Sequence, residues 1–207
     1  MSTQDAASGR DYGGISVEVR KAERRQRIIQ AAISVYAEVG YHRATVREIC
    51  KQAGLTARYF YESFEDGEAL FEACYEHVLE VFISKAVAAA IDFSDDRHAQ
   101  IRTFQRTYFN ELKERPVFAQ VFLMDLASVS PHVHKRFSRS VDMIAGQFPG
   151  HMPIDHDDEG VCDIVRRALA GGVVHIAKRW VDEDFATPID TLLEATRVLY
   201  GLSESGV

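Results

Sequence analysis

ATVREICKQAGLTARYFYESF, residues 44–64, reads as two short helices joined by a glycine. Thr45 is an N-cap candidate and Glu48 follows three residues later, the spacing of a reciprocal capping box. Val46, Ile49, Cys50 and Ala53 fall on one helical face, and Gly54 ends the run. Thr56 is placed to cap a second helix that reaches about Tyr61, with Phe60 and Phe64 facing inward. Gly54 suits the turn because a left-handed backbone strains any residue with a Cβ. Leu55 is expected to plug the space between the two helices. This is helix-turn-helix grammar, in which the second helix enters the major groove of DNA.

The side chains then sort by role. Thr56, Ala57, Arg58, Tyr59 and Tyr61 are the outer residues of the second helix. Arg58 is the best candidate for a base, since a guanidinium reaches two acceptors on guanine. Ala57 and Tyr59 suit a thymine methyl or the sugars. Thr45, Arg47, Lys51 and Tyr61 suit phosphates, which set register without reading sequence.

Outward from this stretch, the periodicity stays helical. On the N-terminal side, Ile28, Ala32, Val35, Tyr36 and Val39 recur at helical spacing before Gly40. Residues 1–18 show no period and are expected to form a flexible tail. On the C-terminal side a long helix begins near Asp66, with Leu70, Phe71, Cys74, Val78, Val81 and Phe82 on its apolar side. Ile101, Phe104, Tyr108 and Leu112 mark another, which stops before Pro116 because proline crowds the preceding turn. Helix resumes from 117 to 126, and again after Ser130-Pro131 with Val133, Phe137, Val141, Ile144 and Phe148 inward. Residues 148–159 read as a loop. Two last segments, 161–176 and 189–200, carry broad apolar surfaces, and Ala170, Gly171 and Gly172 permit close helix approach. Their pairing is expected to form a homodimer interface, with a buried core inside one chain as the alternative.

The predicted fold is all-α: a three-helix DNA-binding domain over 19–65, then a helical ligand-binding and dimerisation domain over 66–207. A 46% hydrophobic content is that of a globular chain, and no apolar run spans a bilayer. No secretory leader is expected, and Cys50, Cys74 and Cys162 make no metal-ligand spacing, which predicts a cytoplasmic protein with reduced thiols. The net charge is −7, yet residues 20–64 carry +5 and the remainder −12. A basic segment on an acidic body is the footprint of a DNA reader.

Residues 28–41, IIQAAISVYAEVGY, together with 44–64 and Glu68-Ala69-Leu70, resemble the N-terminal region of TetR-family repressors. That resemblance implies an all-helical homodimer in which helices one to three bind double-stranded operator DNA. Helices four onward would bind a small-molecule effector and dimerise. The effector would move the fourth helix and so change the separation of two recognition helices, which must sit about 34–36 Å apart. The chain departs from the family at several places. Tyr36 stands for phenylalanine, Cys50 for alanine, Arg58-Tyr59 for a frequent Gly-Thr, Ser63 for His or Tyr, and Gly67 for a phosphate-binding lysine.

Phe104, Tyr108, Phe118, Phe122, Met124 and His175 are the candidate pocket residues, with Arg106, Asp125 and Arg179 as further polar contacts. Ordinary core packing is the competing reading for each aromatic. An effector held there would be apolar or aromatic. His132 and His134, and His151, His156, Asp157 and Asp158, lack an i, i+4 ligand pair, so no metal or other cofactor is expected. No phosphate loop or nucleophile elbow is present, which argues against an enzyme. A helical interaction module, or a ligand-binding protein without DNA binding, is the alternative function.

Overall fold

The computed structural model describes residues 16–93, 96–124, 129–135 and 157–201. Its α-helices are α1 (Val17–Val39), α2 (Val46–Ala53), α3 (Ala57–Tyr61), α4 (Gly67–Ala90), α5 (Arg97–Glu114), α6 (Pro116–Phe122), α7 (Glu159–Asp182) and α8 (Ile189–Leu199). Short 3-10 turns lie at Tyr41–Arg43 and Ile91–Phe93, and residues 131–135 are helical. The described residues contain no strand, and none of their helices is long and apolar enough to cross a membrane. The expected inward positions Phe137, Val141, Ile144 and Phe148, the C-terminal end of the 117–126 helix including Asp125, and His151 and His156 lie outside the described residues.

Helix boundaries follow their caps. Ser16 accepts from the Val19 amide, so α1 starts at Val17, inside the expected tail. Thr45 and Glu48 form the expected capping box, with Thr45 accepting from the Glu48 amide at 3.2 Å and Glu48 accepting from the Thr45 amide at 3.1 Å. Gly54 sits at φ 63°, ψ 37°, in the left-handed region. Its amide closes α2 onto Cys50 and Lys51. The expected Thr56 cap differs: Thr56 has extended N-cap geometry but its hydroxyl makes no capping hydrogen bond. Asp66 accepts from Ala69 and Asp96 from Ala99, starting α4 and α5.

A single apolar cluster runs from α1 to α8. α4 and α5 form its central antiparallel-type pair, α1 packs on α2, α3, α4 and α6, and α8 covers α5. Phe71 is fully buried, with its ring 5.4 Å from Tyr36 and 5.1 Å from Tyr41, both edge-on. One turn on, the Cys74 thiol donates to the Ile29 carbonyl at 3.6 Å, and burial pushes that thiol up. These contacts dock the first two turns of α4 onto α1. At the far end, Trp180 meets Phe109 and Phe185 edge-on and donates to the Thr187 carbonyl at 2.7 Å.

Gly172 has a role within the chain. A Cβ there would meet the Leu199 Cδ2 at 3.0 Å, so its missing side chain lets α7 and α8 close up. Gly171 faces open space, and Ala170 is buried. Of the small residues expected at a dimer interface, Gly172 therefore serves internal packing.

Replacing Gly54 with alanine tests the turn. A Cβ there lies 3.2 Å from the Arg27 guanidinium and must sit at positive φ. Gly54→Ala is expected to lower unfolding free energy by about 1–2 kcal/mol, read from the urea midpoint at unchanged m-value.

Candidate nucleic-acid interface

The turn between α2 and α3 is built on the left-handed Gly54. The Leu55 amide continues the turn by donating to the Cys50 carbonyl at 2.9 Å. Leu55 itself is half-buried against the core, as its plug role requires. Ile49, Cys50, Ala53 and Phe60 face inward. Arg47, Lys51, Thr56, Ala57, Arg58 and Tyr61 are exposed, so most of the residues assigned to DNA reach solvent. Tyr61 is 64% exposed, a large aromatic that a monomer in water leaves uncovered.

Three assigned residues carry internal ties. Tyr59 is half-buried, and the Arg24 guanidinium lies 4.6 Å from its ring centre. Arg58 donates to Glu62 at 2.8 Å across one helical turn. The pair is an exposed one, so solvent screens it and it is worth little. Thr45 is exposed, but its hydroxyl donates to Glu48 at 2.7 Å as well as accepting from the Glu48 amide. Those bonds hold the Glu48 carboxyl below the usual carboxylate range.

The positive charge of residues 20–64 divides in two. Arg25 lies 4.8 Å over the Phe64 ring. Arg27 donates to the Ala53 carbonyl at 2.6 Å, neutralising the C-terminal end of α2. Arg43 donates to the Val39 carbonyl at 2.7 Å at the end of α1. With Arg24, these four cations stitch the head together. Lys51 and Arg47 are exposed on α2, and no ion pair ties them among the described residues. Sequence reading counted all of these bases alike. A signal was present for Arg25, which falls three and four residues before the buried Ile28 and Ile29, although the side chain itself is exposed.

In the body, Tyr108 and Phe122 are buried, their rings 6.3 Å apart, and Phe122 stacks on Tyr75 at 5.8 Å. Phe104, Phe118 and Met124 are half-buried against the same cluster. The Tyr108 hydroxyl is buried with no hydrogen-bond partner among the described residues, and burial pushes its ionisation up. His175 and the added contacts Arg106 and Arg179 stand on the outside. His175 is exposed, Arg106 pairs with Asp190 at 2.8 Å, and Arg179 pairs with Glu183 at 2.8 Å. The structure thus brings the aromatics together and leaves these polar side chains at the surface of the single chain.

A helix-turn-helix head docked on a helical body is a TetR-type fold. Residues 28–74 match the family described as "Bacterial regulatory proteins, tetR family". That match covers the head and the start of α4 and leaves most of the body outside it. The chain is similar to the HTH-type transcriptional regulator BetI of Yersinia pestis (strain Pestoides F), at 28% identity over 117 residues, 54% of this chain and 58% of that protein. The match to the regulator RutR of Escherichia coli (strain K12) is 22% over 108 residues, 52% and 50% of the two chains. The chain thus spans little more than half the length of the curated relatives it matches. Its fold is that of FadR from Bacillus subtilis, solved in complex with stearoyl-CoA: TM-score 0.69, 20% identity, covering 88% of this chain and 98% of that one. A TetR-like regulator from Rhodococcus sp. RHA1 superposes with TM-score 0.65 at 17% identity, over 94% and 100%.

The division of the cations has a direct test. Arg24→Ala, which strips the guanidinium from the Tyr59 face, is expected to cost about 0.5–1 kcal/mol of folding stability. Lys51→Ala is expected to stay within about 0.5 kcal/mol of wild type. Chemical denaturation of both variants gives the comparison.

Proposed function

We propose that this chain is a sequence-specific DNA-binding transcriptional regulator, a repressor released from its operator by a small apolar or aromatic effector. The observation that carries the reading is the exposure of Arg47, Lys51, Thr56, Ala57, Arg58 and Tyr61 on two helices joined at a left-handed glycine, the first of them closed by a capping box. α3 enters the major groove, with Arg58 on a base edge and Thr56 free of any capping bond to meet a phosphate. Arg58 must first leave Glu62. That exchange is cheap because the pair is exposed, and it discriminates: only a base edge offering two acceptors replaces the carboxylate fully. Gly67 brings no cation to the start of α4, so Arg47 and Lys51 bear more of the phosphate contact.

The regulator works as a homodimer in this reading. Ile164 and Val198 are 64% and 65% exposed on α7 and α8, and Leu199 and Val161 add to the same apolar exposure. A second copy would remove them from water. The effector would sit among Phe104, Tyr108, Phe118, Phe122 and Met124, with the Tyr108 hydroxyl as its polar contact. FadR from Bacillus subtilis holds stearoyl-CoA on the same fold, which favours a long apolar effector here. The effector must bind the DNA-incompetent arrangement better, since equal affinity shifts nothing. The setting is the cytoplasm.

Titration of the purified protein against fragments of its own flanking DNA, at low and moderate salt, tests the reader. One fragment is expected to give a saturable complex that weakens steeply with salt. Arg58→Ala should cost that complex about 1–3 kcal/mol, while Glu62→Gln should tighten it by releasing the guanidinium and one negative charge. Equal affinity of wild type and Arg58→Ala for every fragment would count against DNA reading, and the helical interaction module would then be the better account.

Sedimentation tests the assembly. Wild type is expected to run as a dimer, and the double variant Ile164→Asp with Val198→Asp as a folded monomer. A dimer that survives both changes would place the interface elsewhere.

A further inference from the structure

Glu68 and Glu72 lie one helical turn apart near the start of α4, so their carboxylates project from the same face. The segment 129–135 packs over that face and brings His132 onto it. The His132 Nε2 lies 3.2 Å from the Glu72 Oε1. One donor atom from each of Glu68, Glu72 and His132 falls within 4.8 Å of the other two. Glu72 is only 17% exposed along its side chain, and its Oε1 is closed off from water. The Ser130 hydroxyl orients the Glu68 carboxylate by donating to its Oε1 at 2.9 Å, and accepts from the Val133 amide at 3.1 Å. The imidazole itself is 71% exposed, which leaves one side of the cluster open to solvent.

We propose that Glu68, Glu72 and His132 form a binding site for a divalent transition-metal ion, of which Zn2+ is the best fit. Two carboxylates at i, i+4 repel one another on a helix, and removing them from water adds to that cost. A dication between them reverses both terms. Zn2+ takes oxygen and imidazole ligands at about 2.0–2.2 Å, and two ligands on a tetrahedron of that size are separated by roughly 3.3–3.5 Å. The 3.2 Å between His132 and Glu72 is close to that edge. Two hard carboxylate oxygens with one borderline imidazole nitrogen suit Zn2+, Co2+ or Mn2+ better than a soft ion, and the imidazole disfavours Ca2+, which takes oxygen ligands. Three protein ligands with an open side leave the fourth position to water. The Ser130–Glu68 bond supplies the outer support that fixes a ligating carboxylate. Sequence spacing hides the site, because His132 is sixty residues from Glu72 and only the packing of 129–135 on α4 unites them.

The test uses the full chain, stripped with chelator and dialysed, and titrated with Zn2+ alone in a calorimeter. One Zn2+ per chain is expected, with affinity falling at least tenfold in His132→Ala and in Glu72→Gln. Co2+ should give the absorption bands of a low-coordinate N/O site in wild type and lose them in both variants. Circular dichroism should show the variants folded, since His132 is exposed and glutamine has nearly the shape of glutamate. Absence of stoichiometric Zn2+ binding overturns the proposal, as does binding that both substitutions leave unchanged. The titration involves no DNA, so it stands apart from the test of the operator complex.

Discussion

Phe71 entering the space between Tyr36 and Tyr41 is the contact on which the rest of this structure depends. It is fully buried, and the ring edges it meets come from the end of α1 and the turn that follows. With the Cys74 thiol on the Ile29 carbonyl, it locks the first two turns of α4 to α1. Helices α2 and α3 have no other large partner: α2 packs on α1, and α3 on α1 and α2. The orientation of the head relative to the body is therefore set by the packing of α1 on α4 and α6, the edge-on aromatic contacts of Phe71 among them. Aromatic pairs of this kind prefer discrete edge-on geometries over a continuum. A shift of α4 would carry the whole head with it, which is the mechanical condition for any signal that passes from body to DNA.

The same economy governs the charged residues. A chain of net charge −7 that binds DNA must keep its cations where the phosphates will be. Here four of the arginines in residues 20–64 are used as internal fasteners instead, over Tyr59 and Phe64 and on the carbonyls of Ala53 and Val39. A guanidinium can do this because it is weakly hydrated and flat, so it stacks on a ring while staying charged. These fasteners still lend positive potential to the face above them. Fewer side chains are left for the proposed contacts with DNA than the raw count suggests.

Legibility varied along the chain for physical reasons. The capping box at Thr45 and Glu48 and the glycine at 54 are local devices, made by residues three or four apart, and both formed as read. The Thr56 cap did not, because a preferred residue type at an N-cap position does not oblige its hydroxyl to turn inward. The aromatics Phe104, Tyr108, Phe118 and Phe122, candidate pocket residues with core packing as the competing reading, share one apolar cluster. His175, Arg106 and Arg179, the candidate polar contacts for an effector, lie outside. Spacing assigns a face, but which face is inner depends on the helix that packs there.

What this sequence determined by itself is the helices of the head and most of their caps, because each rests on contacts between residues close in the chain. The family likeness belongs with these, since the matched residues 28–74 encode the same local grammar. Only the tertiary structure decided which arginines fasten and which remain available, that Gly172 admits Leu199 within the chain, and that His132 meets Glu68 and Glu72. Each of those is a meeting of side chains far apart in sequence. Its existence follows from the balance of packing over the entire core, which no window along the chain contains.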